Sequence, residues 1–115
     1  MGLTLASRRI GSIVVIDISG KLTVYDENLR EYVRDFLNSG ERRLVLNLAE
    51  ISYLDSAGLG KLVTVYVAVK RAGATIALLA PGPRVRELLE ITKLDTVFMI
   101  LENEDAVRAA SSAAN

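Results

Sequence analysis

Apolar residues recur at different spacings along this chain, and each change of spacing marks a predicted element. Leu3 and Leu5 alternate with small or polar neighbours, which predicts a weak strand over residues 3–10, and Gly11-Ser12 is a plausible tight turn. Residues 13–19 then form a stronger strand with Val14, Ile16 and Ile18 on one side and Ile13 and Val15 on the other, apolar on both faces and therefore central. Gly20 is expected to end it. Residues 26–39 read as a helix, because Leu29, Tyr32 or Val33, Phe36 and Leu37 recur at helical spacing. Gly40 suits its left-handed cap. Leu44, Leu46 and Leu48 alternate in a third strand, and residues 49–54 read as a loop. For residues 59–71 pattern and propensity disagree. Val63, Val65, Val67 and Val69 suit a strand, whereas Leu59, Leu62, Val63, Tyr66 and Lys70 follow a helical stripe, and length favours the helix. Residues 75–80 form a fourth strand, Pro81-Gly82-Pro83 breaks the chain, and Val85, Leu88 and Leu89 share a face of a short helix. A fifth strand over 97–101 and a last helix over 102–110 precede a short, small and polar tail, 111–115, expected to fray.

Strands alternating with helices predict an α/β domain with a mainly parallel five-stranded sheet, right-handed crossovers and about four helices. A hairpin between the first two strands makes the first an antiparallel strand at an edge. Strand order is not readable from the pattern.

Composition narrows the function. The chain has 115 residues, one domain's worth, with half its residues apolar and 24 % charged. Lys plus Arg equals Asp plus Glu at 14 each, and no half of the chain is basic, so neither nucleic acid nor an anionic membrane is an expected partner. The sequence contains no Cys and no His. That excludes thiolate chemistry, Cys/His zinc sites and a Ser-His-Asp triad, and no metal or other cofactor is expected. No signal peptide is visible, Ala6 breaks the myristoylation pattern, and the longest nearly apolar run, residues 62–69, is too short to span a membrane. A cytoplasmic protein is expected.

Most charged residues fit solvated faces. Asp26 and Arg30 suit a helical i,i+4 pair, and Glu102, Glu104 and Asp105 suit the first turn of a helix. Gly58-Leu59-Gly60-Lys61 resembles a phosphate loop in passing, but that pattern needs Gly at 55 and Ser or Thr at 62, where the chain has Asp55 and Leu62. What remains is Asp55-Ser56-Ala57-Gly58-Leu59 at a helix start. Either Asp55 or Ser56 can cap that helix. Ala57 and Gly58 are slim, and Gly costs helix stability, which makes sense where a protein partner must reach a hydroxyl closely. A hydroxyl exposed there can also carry a phosphate, since a helix N-terminus tolerates an anion. The partner surface is thus expected at Ser56, Ala57, Gly58 and Leu59, with Lys61 and Leu62 beside them, and Leu59 is either an apolar anchor or a core residue.

At this segment the sequence resembles a STAS domain of the bacterial anti-sigma-factor antagonist family. The likeness spans nearly the whole chain: Gly20-Lys21-Leu22, the strand at 44–48, Ile51-Ser52-Tyr53-Leu54-Asp55-Ser56-Ala57-Gly58-Leu59-Gly60, Leu88-Leu89-Glu90-Ile91-Thr92-Lys93-Leu94, and Val97-Phe98 before the acidic final helix. The resemblance implies a β-α superhelix over residues 1–110 and partner switching without catalysis. The unphosphorylated protein would bind an anti-sigma factor serine kinase and free a sigma factor, phosphorylation of Ser56 would end the complex, and a metal-dependent serine phosphatase would reverse it. Many family members carry Asp where this chain has Thr23, close to the phosphorylation site, which adds Thr23 and Asp55 to the expected partner surface. Two other functions stay open: a scaffold STAS protein of a larger signalling assembly, which fits the same resemblance, and, from another class, a small-ligand or nucleotide-binding, or hydrolytic, α/β domain with a pocket near Thr23, Asp55 and Ser56.

Overall fold

The computed structural model describes residues 2–26 and 28–113, and the statements that follow concern those residues. The elements run β1 (Leu3–Ile10), β2 (Ile13–Leu22), α1 (Leu29–Asn38), β3 (Arg43–Leu54), α2 (Ser56–Arg71), β4 (Thr75–Leu79), α3 (Pro83–Ile91), a 3-10 turn (Leu94–Thr96), β5 (Met99–Leu101) and α4 (Glu104–Ala113). They build a five-stranded sheet in the order β1-β2-β3-β4-β5. β1 pairs antiparallel with β2 at one edge, and the other pairs are parallel, as expected.

The sequential strand order dictates where the helices go. Parallel crossovers are right-handed, so if every strand lies beside its predecessor, every crossover helix falls on the same face. Leu29, Val33 and Leu37 of α1, Leu59, Leu62, Val65 and Val69 of α2, and Val85 and Leu89 of α3 accordingly share one core with Val14, Ile16, Ile18, Leu44, Leu46 and Leu78. The last helix, α4, is not a crossover and packs on the opposite face, where Val107 meets Ile13, Val15, Val45, Ala77 and Leu79. The chain is therefore a β-α superhelix capped from behind.

Polar contacts fix that back face. Arg8 forms a two-pronged contact with Asp17 at 2.7 and 3.1 Å and reaches Glu104 of α4 at 2.6 Å, while the Asn47 amide donates to Asp17 at 2.7 Å. The hydrogen bond from Arg8, outweighing burial and joined by Asn47, holds the Asp17 carboxyl below the ordinary aspartate range.

The β2–β3 pair departs from the sequence reading. β2 runs to Leu22 instead of ending at Gly20, and β3 runs to Leu54 instead of yielding to a loop at Ala49. Two irregularities explain the miss. The step from Asp17 to Ser19 faces three residues' advance, Asn47 to Glu50, and the step from Gly20 to Lys21 faces two, Ile51 to Tyr53. Each extra residue reverses the parity of alternation, so the apolar pattern stops signalling a strand while the ladder continues. Gly20 bends within the ladder at φ +105°, where a Cβ would lie 2.5 Å from the Gly2 carbonyl oxygen.

Other boundaries shift for local reasons. α1 begins at Leu29, not at 26, because the Asp26 carboxylate accepts from the Asn28 and Leu29 N–H groups, both at 3.2 Å, outside the helix. Asp26 thus precedes the helix and turns its carboxylate to those N–H groups; it is not an i,i+4 partner of Arg30. α2 begins at Ser56, a turn before Leu59, because Asp55 caps it. Ala80 turns left-handed after β4, and β5 starts at Met99 because the 3-10 turn takes the preceding residues. α4 runs from Glu104 through Ala113, past the expected end at 110, so Ser111 and Ser112 are helical; Ser111 Oγ accepts from the Ser12 N–H at 3.3 Å. Ala114 and Asn115 lie outside the described residues.

Candidate functional site

β3 delivers Leu54 into the core and Asp55 to the start of α2. Asp55 is extended, φ −108° and ψ −177°, and its Oδ1 accepts from the Gly58 N–H at 2.7 Å, while its carbonyl accepts from the Leu59 N–H at 2.9 Å. Of the two candidate caps, Asp55 is the one used. That leaves Ser56 as the first helical residue, exposed at the positive end of a 16-residue helix. The Ser56 Oγ has no imidazole in the chain to activate it, and its neighbouring carboxylate is already bound to a backbone N–H.

The residues after Ser56 divide. Ala57 is half-buried, and so is Lys61, whose Nζ donates to the Asp26 carbonyl oxygen. Leu59 is 6 % exposed and Leu62 is fully buried, both in the main core. Of the two roles open to Leu59 the structure shows the core one, and the expectation that Leu62 presents its side chain to a partner is corrected: Leu59, Leu62, Val65 and Val69 form one stripe of α2, and the sheet takes that stripe. Gly58 is corrected as well. A Cβ there would stand 2.0 Å from the Leu22 carbonyl oxygen and 2.7 Å from its carbon. Gly58 is glycine so that α2 can approach β2, and the close packing offsets its helix penalty. Gly60, by contrast, is exposed with open space around it.

Opposite Ser56, the loop after β2 folds into a turn. The Thr23 carbonyl accepts from the Asp26 N–H and its Oγ1 accepts from the Tyr25 N–H, both at 3.2 Å. This turn holds Val24 and Tyr25 outward, Tyr25 at 88 % exposure. Leu22 pairs with Leu54 and Lys21 with Tyr53, so the turn and the start of α2 leave the sheet side by side. Thr23, Tyr25, Asp26 and Asn28 line an open hollow of about 780 Å3 together with Lys21, Tyr53 and Asp55. The structure thus brings Thr23 and Asp55 to one hollow, with Ser56, Ala57 and Lys61 on the adjoining helix.

Val24, Tyr25 and Tyr53 were not singled out by the sequence reading. A signal existed: three apolar residues stand in segments that otherwise read as loop. Exposed aromatic and aliphatic side chains in one neighbourhood are typical of a protein contact surface. Among the described residues, no group of three or more acidic, His or Cys side chains is placed to hold a metal ion, and no helix is long and apolar enough to cross a membrane.

Comparison with known proteins adds independent information. A family model described as STAS domain matches residues 4–108. A Thermotoga neapolitana protein, provisionally named an anti-sigma factor antagonist homolog, is 30 % identical over 95 residues, covering 81 % of this chain and 84 % of that protein. A crystal structure of a Thermotoga maritima protein, provisionally named an anti-sigma factor antagonist, superposes with a TM-score of 0.84 at 24 % identity, covering 94 % of each chain. The Bacillus cell fate determinant SpoIIAA in its phosphorylated form superposes with a TM-score of 0.70 at 21 % identity, covering 93 % of this chain and 99 % of that one. At those identities the solved structures carry the fold.

Proposed function

The chain belongs to the STAS domain family, and from that membership and the geometry around Ser56 we propose that it is an anti-sigma factor antagonist that works by partner switching. Unphosphorylated, it binds an anti-sigma serine kinase and so releases a sigma factor in the cytoplasm. The kinase then transfers phosphate to Ser56 and the complex ends, until a metal-dependent serine phosphatase restores the hydroxyl. The observation that carries this reading is the exposed Ser56, left free by the Asp55 cap at the start of α2. The names of the Thermotoga relatives and the existence of a phosphorylated SpoIIAA structure support it.

The physics of the switch follows from the local charges. Phosphate adds roughly −1.5 to −2 charges at neutral pH. The α2 N-terminus accommodates that charge while it stays in water. At an interface the same group must be desolvated beside the Asp55 carboxylate, so docking fails while the fold holds. In this scheme the chain is substrate and ligand, not an enzyme, and the kinase supplies the base and the ATP. Thr23, Asp55, Ser56, Ala57 and Lys61 form the contact surface with Tyr25, Val24 and Tyr53, and Gly58, Leu59 and Leu62 support it from beneath. Because the Thr23 oxygen is committed to the Tyr25 N–H, Thr23 acts by shaping the turn that presents Tyr25.

Incubation with the host's anti-sigma kinase and ATP, followed by intact mass, tests the reading. One phosphate on the wild type and none on Ser56→Ala is expected, and a phosphate on Ser56→Ala would overturn it. The hollow beside Asp55 favours one second reading, a small-ligand domain. Calorimetric titration with ATP and GTP decides it: saturable binding to the isolated chain supports the ligand reading, and a flat titration removes it.

A further inference from the structure

α1 and α2 lie side by side on the sheet, and the valley between them contains two adjoining hollows of about 290 and 390 Å3 that share Arg30 and Thr64. Arg30 and Arg34 line it from α1, and Lys61 and Arg71 line it from α2. Among the described residues, none of these four cations forms an ion pair, whereas Arg8, Arg9, Arg84, Arg86 and Arg108 all do. The carboxylate that borders the valley, Asp26, is occupied by the Asn28 and Leu29 N–H groups. The chain as a whole is neutral, so the valley is a local segregation of charge. Arg30 and Arg34 stand at i,i+4 on α1, a like-charge spacing that weakens a helix, whereas Lys61 Nζ donates to the Asp26 carbonyl oxygen and Arg71 sits in the last turn of α2, where a cation is favoured. The valley is also lined by the aliphatic side chains of Val63 and Val67, the latter 41 % exposed.

We propose that this valley docks an acidic amphipathic helix of the protein partner that reads Ser56, an inference that rests on the partner-switching reading. Cations on both banks match carboxylates, and the aliphatic lining matches the apolar stripe such a helix carries. A nucleic acid or an anionic membrane would use the cations alone, and the neutral chain offers neither any long-range attraction. Position agrees as well. Lys61 follows Ser56 by five residues on one helix, about 7–8 Å along its axis, so the valley continues the contact surface already described.

The test uses the full chain and a labelled synthetic helix with Glu on one face and Leu on the other, followed by fluorescence anisotropy. Binding is expected, weakening as salt rises and falling at least tenfold for the double variant Arg34→Glu, Arg71→Glu. Both positions are exposed, so circular dichroism should show an unchanged fold. Equal binding by the double variant, or by a probe with Gln in place of Glu, would overturn the proposal. So would tighter binding of a labelled single-stranded oligonucleotide or of phosphatidylserine vesicles. Phosphorylation of Ser56 without probe binding removes the valley and leaves the switch standing. Probe binding that survives in Ser56→Asp supports the valley whatever becomes of the switch.

Discussion

The two halves of the β2–β3 ladder are built from the same two strands and obey different rules. In the first half, Val14 to Asp17 pair with Leu44 to Asn47 in unbroken register, and the apolar side chains of both strands are buried. In the second half, Ser19 to Leu22 meet Glu50 to Leu54 across two irregularities, and Lys21, Ala49, Glu50, Ser52 and Tyr53 are exposed. The first half supports the core, and the second half carries Thr23, Tyr53 and Asp55 to the place where Ser56 stands. Between them Asn47 donates to Asp17, which Arg8 also holds, so the last regular pair is clamped before the register slips. A sheet can thus keep its core while its far end is re-aimed: the two bulges change the parity twice, so Leu22 and Leu54 return to the core while Lys21 and Tyr53 beside them face solvent.

Substitutions should follow that division, with the largest effect in the regular half. Leu46→Ala removes a fully buried side chain and should cost about 2–5 kcal/mol in urea unfolding. A cost under about 1 kcal/mol would mean the regular half is not the core. Gly58→Ala comes next at about 1–3 kcal/mol, because its Cβ meets the Leu22 backbone and one strand must move. An unaffected melting temperature would show that α2 does not press on β2. Asp55→Ala should cost about 1 kcal/mol through loss of the cap on Gly58.

The clamp between the halves should register through pH. Asp17 is held below its ordinary range by Arg8, so its contribution is whole above that range and is lost as pH falls through the lowered native value. Arg8→Met should therefore cost up to about 1 kcal/mol at neutral pH, the pair being part-exposed, and the gap from the wild type should close in acid. A gap that stays constant from neutral pH into acid would assign the effect to packing instead. Smallest of all, Ser56→Ala should change stability by less than about 0.5 kcal/mol, since the exposed hydroxyl takes no part in the cap.

The same division explains what could be read from the sequence. Alternation in Val14, Ile16, Ile18 and in Leu44, Leu46, Leu48 needs a regular ladder to be informative, and there it located both strands, the α/β class and the antiparallel edge. It could not locate the ladder beyond Ser19 and Leu48, where each extra residue reverses the alternation. The exposed position of Ser56 at the head of α2 was legible because Asp55-Ser56 is a helix-capping pair and the surrounding motif is distinctive. Leu59 was left open between anchor and core, and Leu62 was misplaced, because a stripe one turn long does not say which way a helix faces. Gly58 was misread for a related reason: a missing side chain leaves room for a partner or for a strand, and the Leu22 carbonyl that needs the room lies 36 positions earlier in the chain. Tyr25 escaped because its exposure is fixed by the Thr23 turn, which no periodicity announces.

The central claim is that a phosphate on Ser56 abolishes docking and leaves the fold alone. It is tested most directly by titrating the host's anti-sigma kinase with unmodified and with phosphorylated protein while the melting temperature of each form is recorded. The account predicts an affinity lower by a hundredfold or more for the phosphorylated form, corresponding to a loss of about 3 kcal/mol, with nearly equal melting temperatures. Equal affinities for the two forms, or a phosphorylated form that binds poorly because it has begun to unfold, would contradict it.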